Sequence, residues 1–287
     1  MQKRLFILFS FVFLLSNTLF AKETTLSYEV HRAKEDGFNF ASVLVLGEKE
    51  AVLIDTHFTK ADAYKVVAQI LESKRELKSI YISHGDPDYY FGLPVIIKEF
   101  PNAKVYATKQ TVKHIRKTFQ DKLKYWQPKL GINGSDYVII PDIIEKDTIT
   151  LENQELKIME FNSSRSYIYV PSLKAVFGGI NVTDKEHLWL ADTPYKNDRK
   201  MWLDVLSKMK NLEIKTVIPA HSKEGSKNDI SAIDFSMKYL ETYEKANSKA
   251  KNSKELISIM QNIYPMLDRD SFSLKLGAEV TKGEIKW

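Results

Sequence analysis

Three side chains that can bind metal occupy alternate positions directly after an apolar segment, in the sequence His84-Gly85-Asp86-Pro87-Asp88. In a tight loop, alternate residues can face the same way and converge on one cation. Imidazole nitrogen and carboxylate oxygen together suit Zn²⁺, Mn²⁺ or Fe²⁺. The alternative is a plain turn, because Asp, Gly and Pro also favour turns. The spacing of these residues predicts a metal site.

Two further apolar segments end on polar side chains of the same kind. Residues 51–54 are followed by Asp55, and residues 216–218 lead into His221. Open α/β sheets place their sites at the carboxyl ends of strands. We therefore expect Asp55 and His221 to lie close to His84.

The elements that must position these side chains alternate between strands and helices in the first part of the chain. Apolar patterning predicts strands at 26–31, 38–46, 51–54, 79–82 and 104–107. A capping pattern at Thr59 begins one helix, and another is predicted over 93–100. This alternation is typical of an α/β sheet.

The pattern changes after residue 107. A long amphipathic helix is predicted over 109–126. Short strands are then predicted at 137–140, 148–151, 156–161, 167–170 and 175–177, followed by a helix at 201–209, a strand at 216–218 and a mostly helical remainder. No linker divides the chain. We therefore expect one domain over 22–287, with a core of about 26–225 and a helical extension of about 229–287.

Composition excludes several classes of protein. The 287 residues contain no cysteine, which excludes disulfides, cysteine-ligated zinc, iron–sulfur clusters and thiol nucleophiles. The net charge of +5 is mild for this length and argues against a dedicated nucleic-acid-binding protein. A hydrophobic content of 44% with 28% charged residues is typical of a folded globular protein.

The first 21 residues have the pattern of a secretory signal peptide. Lys3 and Arg4 precede an apolar run over residues 5–15, and Ala21 offers a cleavage site. This run is shorter than the roughly 20 residues that a membrane-spanning helix needs, and no second run approaches that length. We expect a protein that is exported, periplasmic or secreted, with no stable membrane span.

These features resemble the metallo-β-lactamase superfamily. The family signature H-x-H-x-D-H stands here as His84-Gly85-Asp86-Pro87-Asp88-Tyr89, and Gly92 closes it. Asp55 resembles the early Asp of the family, and His221 resembles its last metal-binding His. The resemblance implies a four-layer αββα sandwich and a metal-dependent hydrolase acting on a small molecule.

The chain departs from the family pattern at several ligand positions. Asp86 and Tyr89 replace two His residues, no His stands near residues 161–165, and Ile180 replaces a bridging Asp. The resemblance therefore implies a reduced site with one divalent ion, zinc being favoured. Its predicted ligands are His84, Asp86, Asp88 and His221.

The resemblance also implies roles for the neighbouring side chains. Asp88 would orient or deprotonate a water molecule, Tyr89 or Tyr90 would donate to a developing oxyanion, and Asp55 would hold the tautomer of a ligand His without touching the ion. His187 and Asp192 flank an apolar segment near the missing ligand. We expect these two residues to compensate, as ligands or as acid–base groups.

Two alternatives use the same fold. One is a non-catalytic exported protein that binds a ligand or regulates, and the other is a redox or oxygen-handling relative. The helix of residues 109–129 carries seven Lys and Arg residues against one acid, Asp121. It is either a solvated face or a basic flap that steers an anionic substrate.

Overall fold

The structure is a computed structural model that describes residues 25–287, so the predicted signal segment 1–21 lies outside the described residues. The first sheet is built from Ser27–Arg32 (β1), Ala41–Leu46 (β2), Glu50–Ile54 (β3), Glu76–Ile82 (β4), Lys104–Ala107 (β5) and Asp142–Ile143 (β6), in that spatial order. The first three strands are antiparallel and β3 to β6 are parallel. The parallel strands end at one edge, which carries the predicted site.

The second sheet contains Thr148–Leu151 (β7), Gln154–Met159 (β8), Tyr167–Val170 (β9), Ala175–Phe177 (β10) and Thr216–Val217 (β12). Its spatial order is β12-β10-β9-β8-β7. Thr183–Asp184 (β11) and His221–Ser222 (β13) form a separate parallel pair, in which Thr183 lies opposite His221. This pair brings the late His to the edge where β3 and β4 end.

The helices are Lys60–Ser73 (α1), Pro87–Tyr90 (α2), Leu93–Glu99 (α3), Lys109–Leu130 (α4), Lys196–Lys210 (α5), Ser231–Lys249 (α6), Ser253–Ile263 (α7) and Phe272–Thr281 (α8). Thr59 caps α1 by accepting from the backbone N–H of Asp62, as its sequence predicts. Among residues 25–287, no helix is both long enough and apolar enough to cross a membrane.

Alternate side chains of the central strands enter two different cores. In β2, Leu44 and Leu46 pack with α1, α3 and α4, whereas Val43 and Val45 pack against the second sheet. The strand is buried along its whole length, which explains its continuous apolar sequence. A third core lies between the second sheet and α5 to α8. The predicted four-layer αββα sandwich is confirmed.

Several predicted elements differ from the structure. The strand predicted over 38–46 begins at Ala41, and the one predicted over 156–161 spans Gln154–Met159. Residues 137–140 form no strand, although Val138, Ile139 and Ile140 pack partly buried against the first core. Pro141 has no backbone N–H for a ladder, and pairing begins at Asp142. The helix predicted over 109–126 continues to Leu130, and Pro128 lies in its last turn.

A buried imidazole beside β3 makes the stability of the fold depend on pH. His57 is fully buried, and its Nε2 lies 2.8 Å from Oγ of Ser42. Burial, reinforced by the nearby His31, lowers the pKa of His57 to about 3. In the unfolded chain, His57 is protonated as the pH falls below about 6.5, whereas in the folded chain it stays neutral until the pH approaches 3. The contribution of neutral His57 is therefore present above about pH 6.5 and is lost as the pH falls toward 3.

We expect the replacement His57→Gln to flatten the pH dependence of stability. Between pH 7 and pH 4.5, the native protein should lose about 2 to 3 kcal/mol of unfolding free energy through this group, and the variant should not. Urea unfolding at the two pH values measures the difference. Equal losses in both proteins would contradict the assignment.

Candidate active site

A buried carboxylate at the end of β3 holds the loop that follows β4. Asp55 accepts hydrogen bonds from the backbone N–H of Ser83 at 2.7 Å and from its Oγ at 2.6 Å. The N–H of Gly179 donates to the same Oγ at 2.7 Å. Asp55 thus supports the residue before His84 and makes no bond to a His, which differs from the support predicted for it. Burial raises the pKa of Asp55 to about 7, although the bonds to Ser83 oppose this shift.

His84 presents one nitrogen that lacks a partner. Its Nδ1 lies 2.8 Å from the carbonyl oxygen of Ser164 and therefore carries the proton of this bond. Its Nε2 is buried and has no hydrogen-bond partner among residues 25–287. That nitrogen, one oxygen of Asp86 and one of Asp192 all lie within 4.8 Å of one another.

Lys122 of α4 contacts the same carboxylate of Asp86. Its Nζ lies 2.6 Å from Oδ1 of Asp86, 3.0 Å from the carbonyl oxygen of Gly85 and 3.2 Å from Nε2 of His114. Burial alone would raise the pKa of Asp86, but the ammonium of Lys122, with a further contribution from the His84 side chain, holds it well below its ordinary value. Oδ2 of Asp86 lies 3.4 Å from Nε2 of His84.

Asp192 reaches the site from the loop after β11. The Nε1 of Trp189 donates to its Oδ2 at 2.8 Å. Burial raises the pKa of Asp192, and the charge of Asp86 raises it further. The guanidinium of Arg165 packs 4.2 Å from the ring of Trp202, and both its terminal nitrogens lack a partner within the described part of the chain. Burial lowers the pKa of Arg165, and the charge of Asp192 opposes this shift.

The other two predicted ligands pair with each other. Nε2 of His221 lies 3.2 Å from Oδ2 of Asp88, and its Nδ1 lies 2.9 Å from the carbonyl oxygen of Phe38. Asp88 does not face the same way as Asp86, because residues 87–90 form the short helix α2. In a helix, two residues that are two apart point to nearly opposite sides. Although burial opposes it, the bond to Asp88 raises the pKa of His221.

Tyr89 and His187 lie beside the site in different ways. Tyr89 is fully buried, with its ring centroid 5.1 Å from that of His84 and 6.4 Å from that of His221. Its hydroxyl has no partner in the described region. His187 lines the adjoining cavity, and its Nδ1 lies 2.7 Å from the hydroxyl of Tyr239 in α6. It is not one of the three converging residues.

The site opens into a cavity of about 790 Å³. Asp86 and Asp192, the two converging carboxylates, line it together with both members of the Asp88–His221 pair. α4 and the segment around α8 form two of its walls, through Trp126 and Phe272 among others. A cavity of this size suits a small-molecule substrate.

The three converging residues fit one divalent cation. The proton on Nδ1 of His84 leaves a lone pair on its unpartnered Nε2, and the two carboxylates bring negative charge to the same place. One imidazole and two carboxylates are donors that zinc, manganese and iron accept. Among the predicted residues, His84, Asp86 and Asp192 are brought together, and Asp88 and His221 stand beside them as a pair.

Sequence reasoning missed three contributors to this geometry. Ser83 carries the contact between the ends of β3 and β4, and Lys122 and Arg165 supply positive charge near the carboxylates. Lys122 was visible only as one of many basic residues of its helix. Arg165 lies in the segment 161–165, where the resemblance predicts a ligand His, and the pattern gives no other role to this arginine.

Comparison with known proteins identifies relatives of the fold. Residues 36–221 match the metallo-β-lactamase superfamily. A metallo-β-lactamase from Pontibacter korlensis is 19% identical with a TM-score of 0.53, over 76% of this chain and 95% of that chain. A metallo-β-lactamase family protein from Thermus thermophilus is 15% identical with a TM-score of 0.61, over 91% of this chain and 93% of that chain.

A stereoselective inverting sec-alkylsulfatase from Pseudomonas sp. is also similar. It is 14% identical with a TM-score of 0.59, over 86% of this chain and 48% of that chain. Identities this low show a shared fold. No curated protein sequence matches the chain at a significant level.

We expect Ser83→Ala to destabilise the fold by about 2 to 4 kcal/mol. The change leaves one oxygen of the buried Asp55 and the N–H of Gly179 without their partner, and such groups are costly inside a protein. Urea unfolding measures the loss. Ser172→Ala, at an exposed position, serves as the control and should stay within about 0.5 kcal/mol of the native protein.

Proposed function

Because the chain belongs to the metallo-β-lactamase superfamily, we propose that it is a hydrolase that uses one divalent ion, zinc being favoured. The ion would be held by His84, Asp86 and Asp192. The observation that carries this proposal is the buried Nε2 of His84, which has no hydrogen-bond partner among the described residues. It lies within 4.8 Å of one oxygen of Asp86 and one of Asp192. When bound, such an ion polarises a carbonyl or similar oxygen and makes its water more acidic.

The Asp88–His221 pair supplies acid–base chemistry beside these ligands. Protonated His221 donates from Nδ1 to the carbonyl of Phe38 and from Nε2 to Asp88, which fixes its ring. Burial lowers the pKa of His221, but the bond to Asp88 outweighs this effect and raises the pKa, which favours the protonated imidazole. In the proposed reaction, Asp88 accepts the proton of the attacking water, and His221 donates its proton to the leaving group.

Tyr89 and His187 have supporting places in this proposal. The ring of Tyr89 packs between the imidazoles of His84 and His221 and fixes their separation. Its hydroxyl is buried, so we assign it a positioning role. His187 lies on the cavity wall, where it would contact the substrate.

A second function is favoured by one specific contact. The ammonium of Lys122 contacts the carboxylate of Asp86 and offsets its negative charge, as a bound metal ion would. A chain that relied on this ammonium alone would be a non-catalytic protein that binds a small molecule in the same cavity. Failure to take up any ion would support this alternative.

We also propose that the mature protein is exported to the periplasm or beyond. The support is the sequence of residues 1–21, with its basic start, apolar run and small residue at the predicted cleavage site. Sequencing the N-terminus of protein recovered from the extracytoplasmic fraction would test it, and a mature chain beginning near Lys22 is expected.

We expect His84→Ala and Asp192→Asn to abolish stoichiometric zinc uptake, because each removes one of three ligands. Asp88→Asn should keep the ion but lose at least about a hundredfold in turnover, because it removes the acid–base pair. Elemental analysis after dialysis gives the ion content, and hydrolysis of ester, lactone, β-lactam and sulfate ester panels gives turnover. Loss of the ion in Asp88→Asn, with retention in Asp192→Asn, would contradict these roles.

Removal of the lysine charge should tighten metal binding. In Lys122→Met, Asp86 no longer shares its oxygen with an ammonium, so we expect about tenfold higher zinc affinity, or about 1.4 kcal/mol. Isothermal titration against a competing chelator measures the affinity. Lys117→Met removes the charge of another lysine on the same cavity wall and should change affinity by less than about threefold.

A further inference from the structure

The cavity carries a charge opposite to that of the whole chain. The formal net charge of the chain is +5, yet eight carboxylate side chains and three lysines line the cavity among the described residues. Four of these carboxylates form no ion pair with any described residue and are not among the proposed metal ligands: Glu35, Asp121, Glu186 and Asp268. Partly enclosed walls concentrate the field of such charges on whatever enters.

Aromatic rings accompany these carboxylates at short spacing along the chain. Three pairs whose members are three or four positions apart line the cavity: Glu35 and Phe38, Asp121 and Tyr125, and Asp268 and Phe272. The pairs come from three separate segments, so several parts of the chain each bring a carboxylate and a ring to the cavity. Aromatic faces attract cations, and nearby carboxylates add to this attraction.

The rings form two walls. On one side, Trp126 packs against Phe58 with ring centroids 5.2 Å apart and against Tyr125 at 4.9 Å. On the other side, Trp189 packs against Phe272 at 5.9 Å and against Trp287 at 5.6 Å. The rings on each side therefore support one another, and the space between the walls has room for an apolar body.

A buried polar atom in the cavity wall is a separate sign of a ligand. His187 is 5% exposed, and its Nε2 makes no hydrogen bond with residues 25–287. Its Nδ1 is held by the hydroxyl of Tyr239, so the ring orientation is fixed. A polar atom left alone in this way costs free energy unless a bound molecule pairs with it.

We propose that the substrate is an organic cation, an ester that carries an ammonium or quaternary ammonium group on an apolar body. This inference rests on the proposed hydrolase function and names its substrate class. The carboxylates and ring faces would hold the cationic group while the ester faces the Asp88–His221 pair. Water adds its oxygen to the acyl carbon, the bond from that carbon to the alcohol oxygen breaks, and the alcohol leaves with a proton.

The basic side chains of α4 do not give the cavity a preference for anions. Of the Lys and Arg side chains of α4, only Lys117 and Lys122 line the cavity, and Lys122 is bound to Asp86. Lys109, Lys113 and Lys124 are exposed and are not among the lining residues. The expectation of an anionic substrate had only this helix as its basis.

Three probes of equal shape test the preference on the full chain. Phenyltrimethylammonium, tert-butylbenzene and benzenesulfonate place a cation, a neutral isostere and an anion on the same ring. Quenching of tryptophan fluorescence would be followed in zinc-free and zinc-loaded protein. We expect the cation to bind about tenfold more tightly than the neutral probe, and the anion more weakly than both. Equal binding of the first two, or tighter binding of the anion, would overturn the proposal.

Paired variants locate the effect. Asp121→Asn/Asp268→Asn changes two exposed cavity carboxylates and should weaken the cation about tenfold without changing the neutral probe. Asp147→Asn/Asp204→Asn removes the same charge from the surface outside the cavity and should leave both affinities unchanged. Equal effects of the two double variants would also refute the proposal, since the cavity carboxylates would then play no special part.

The outcomes separate this inference from the proposed hydrolase. Zinc uptake with ester turnover, but no preference for the cation, would remove the substrate class and leave the hydrolase. A cation preference that follows Asp121 and Asp268, without zinc uptake or turnover, would support the ligand class and contradict the hydrolase.

Discussion

The site depends on positive side chains that offset the negative charge of two partly buried carboxylates. Asp86 and Asp192 approach the same imidazole nitrogen, and each is buried enough for a neighbouring charge to matter. Two such carboxylates stay ionised together only where positive charge is close. Lys122 provides it by direct contact, and Arg165 contributes from further away. The positive charge of these two side chains therefore offsets the mutual repulsion of the two carboxylates.

The backbone around the site is held in unusual conformations by the same carboxylate that supports the loop. Asp55 has a φ of 62°, and Gly179 has a φ of 72°. A Cβ at Gly179 would lie 2.4 Å from the carbonyl oxygen of Ser166, so only glycine fits there. The bonds from Ser83 and Gly179 link the two strand ends and offset this strain. The precise position of His84 follows from this bonding.

The sequence could predict the parts of the site that local patterns determine. Apolar runs that stop at Asp55, His84 and His221 mark strand ends, and parallel strands bring such ends together. The pairing of Asp88 with His221 is not predictable from the sequence, because it depends on a short helix where the spacing predicts a tight loop. Lys122 and Arg165 reach the site through tertiary packing, and no spacing in the sequence indicates which of many basic residues does so.

The C-terminal helices help to position one of the carboxylates of the site, Asp192. Ile180 packs into the first core and offers no carboxylate there. The carboxylate of Asp192 is the one that lies near His84 and Asp86, and Nε1 of Trp189 donates to its Oδ2. Trp189 in turn packs against Phe272 of α8. Asp192 is therefore positioned by the helical extension, and the same contacts form part of the cavity wall.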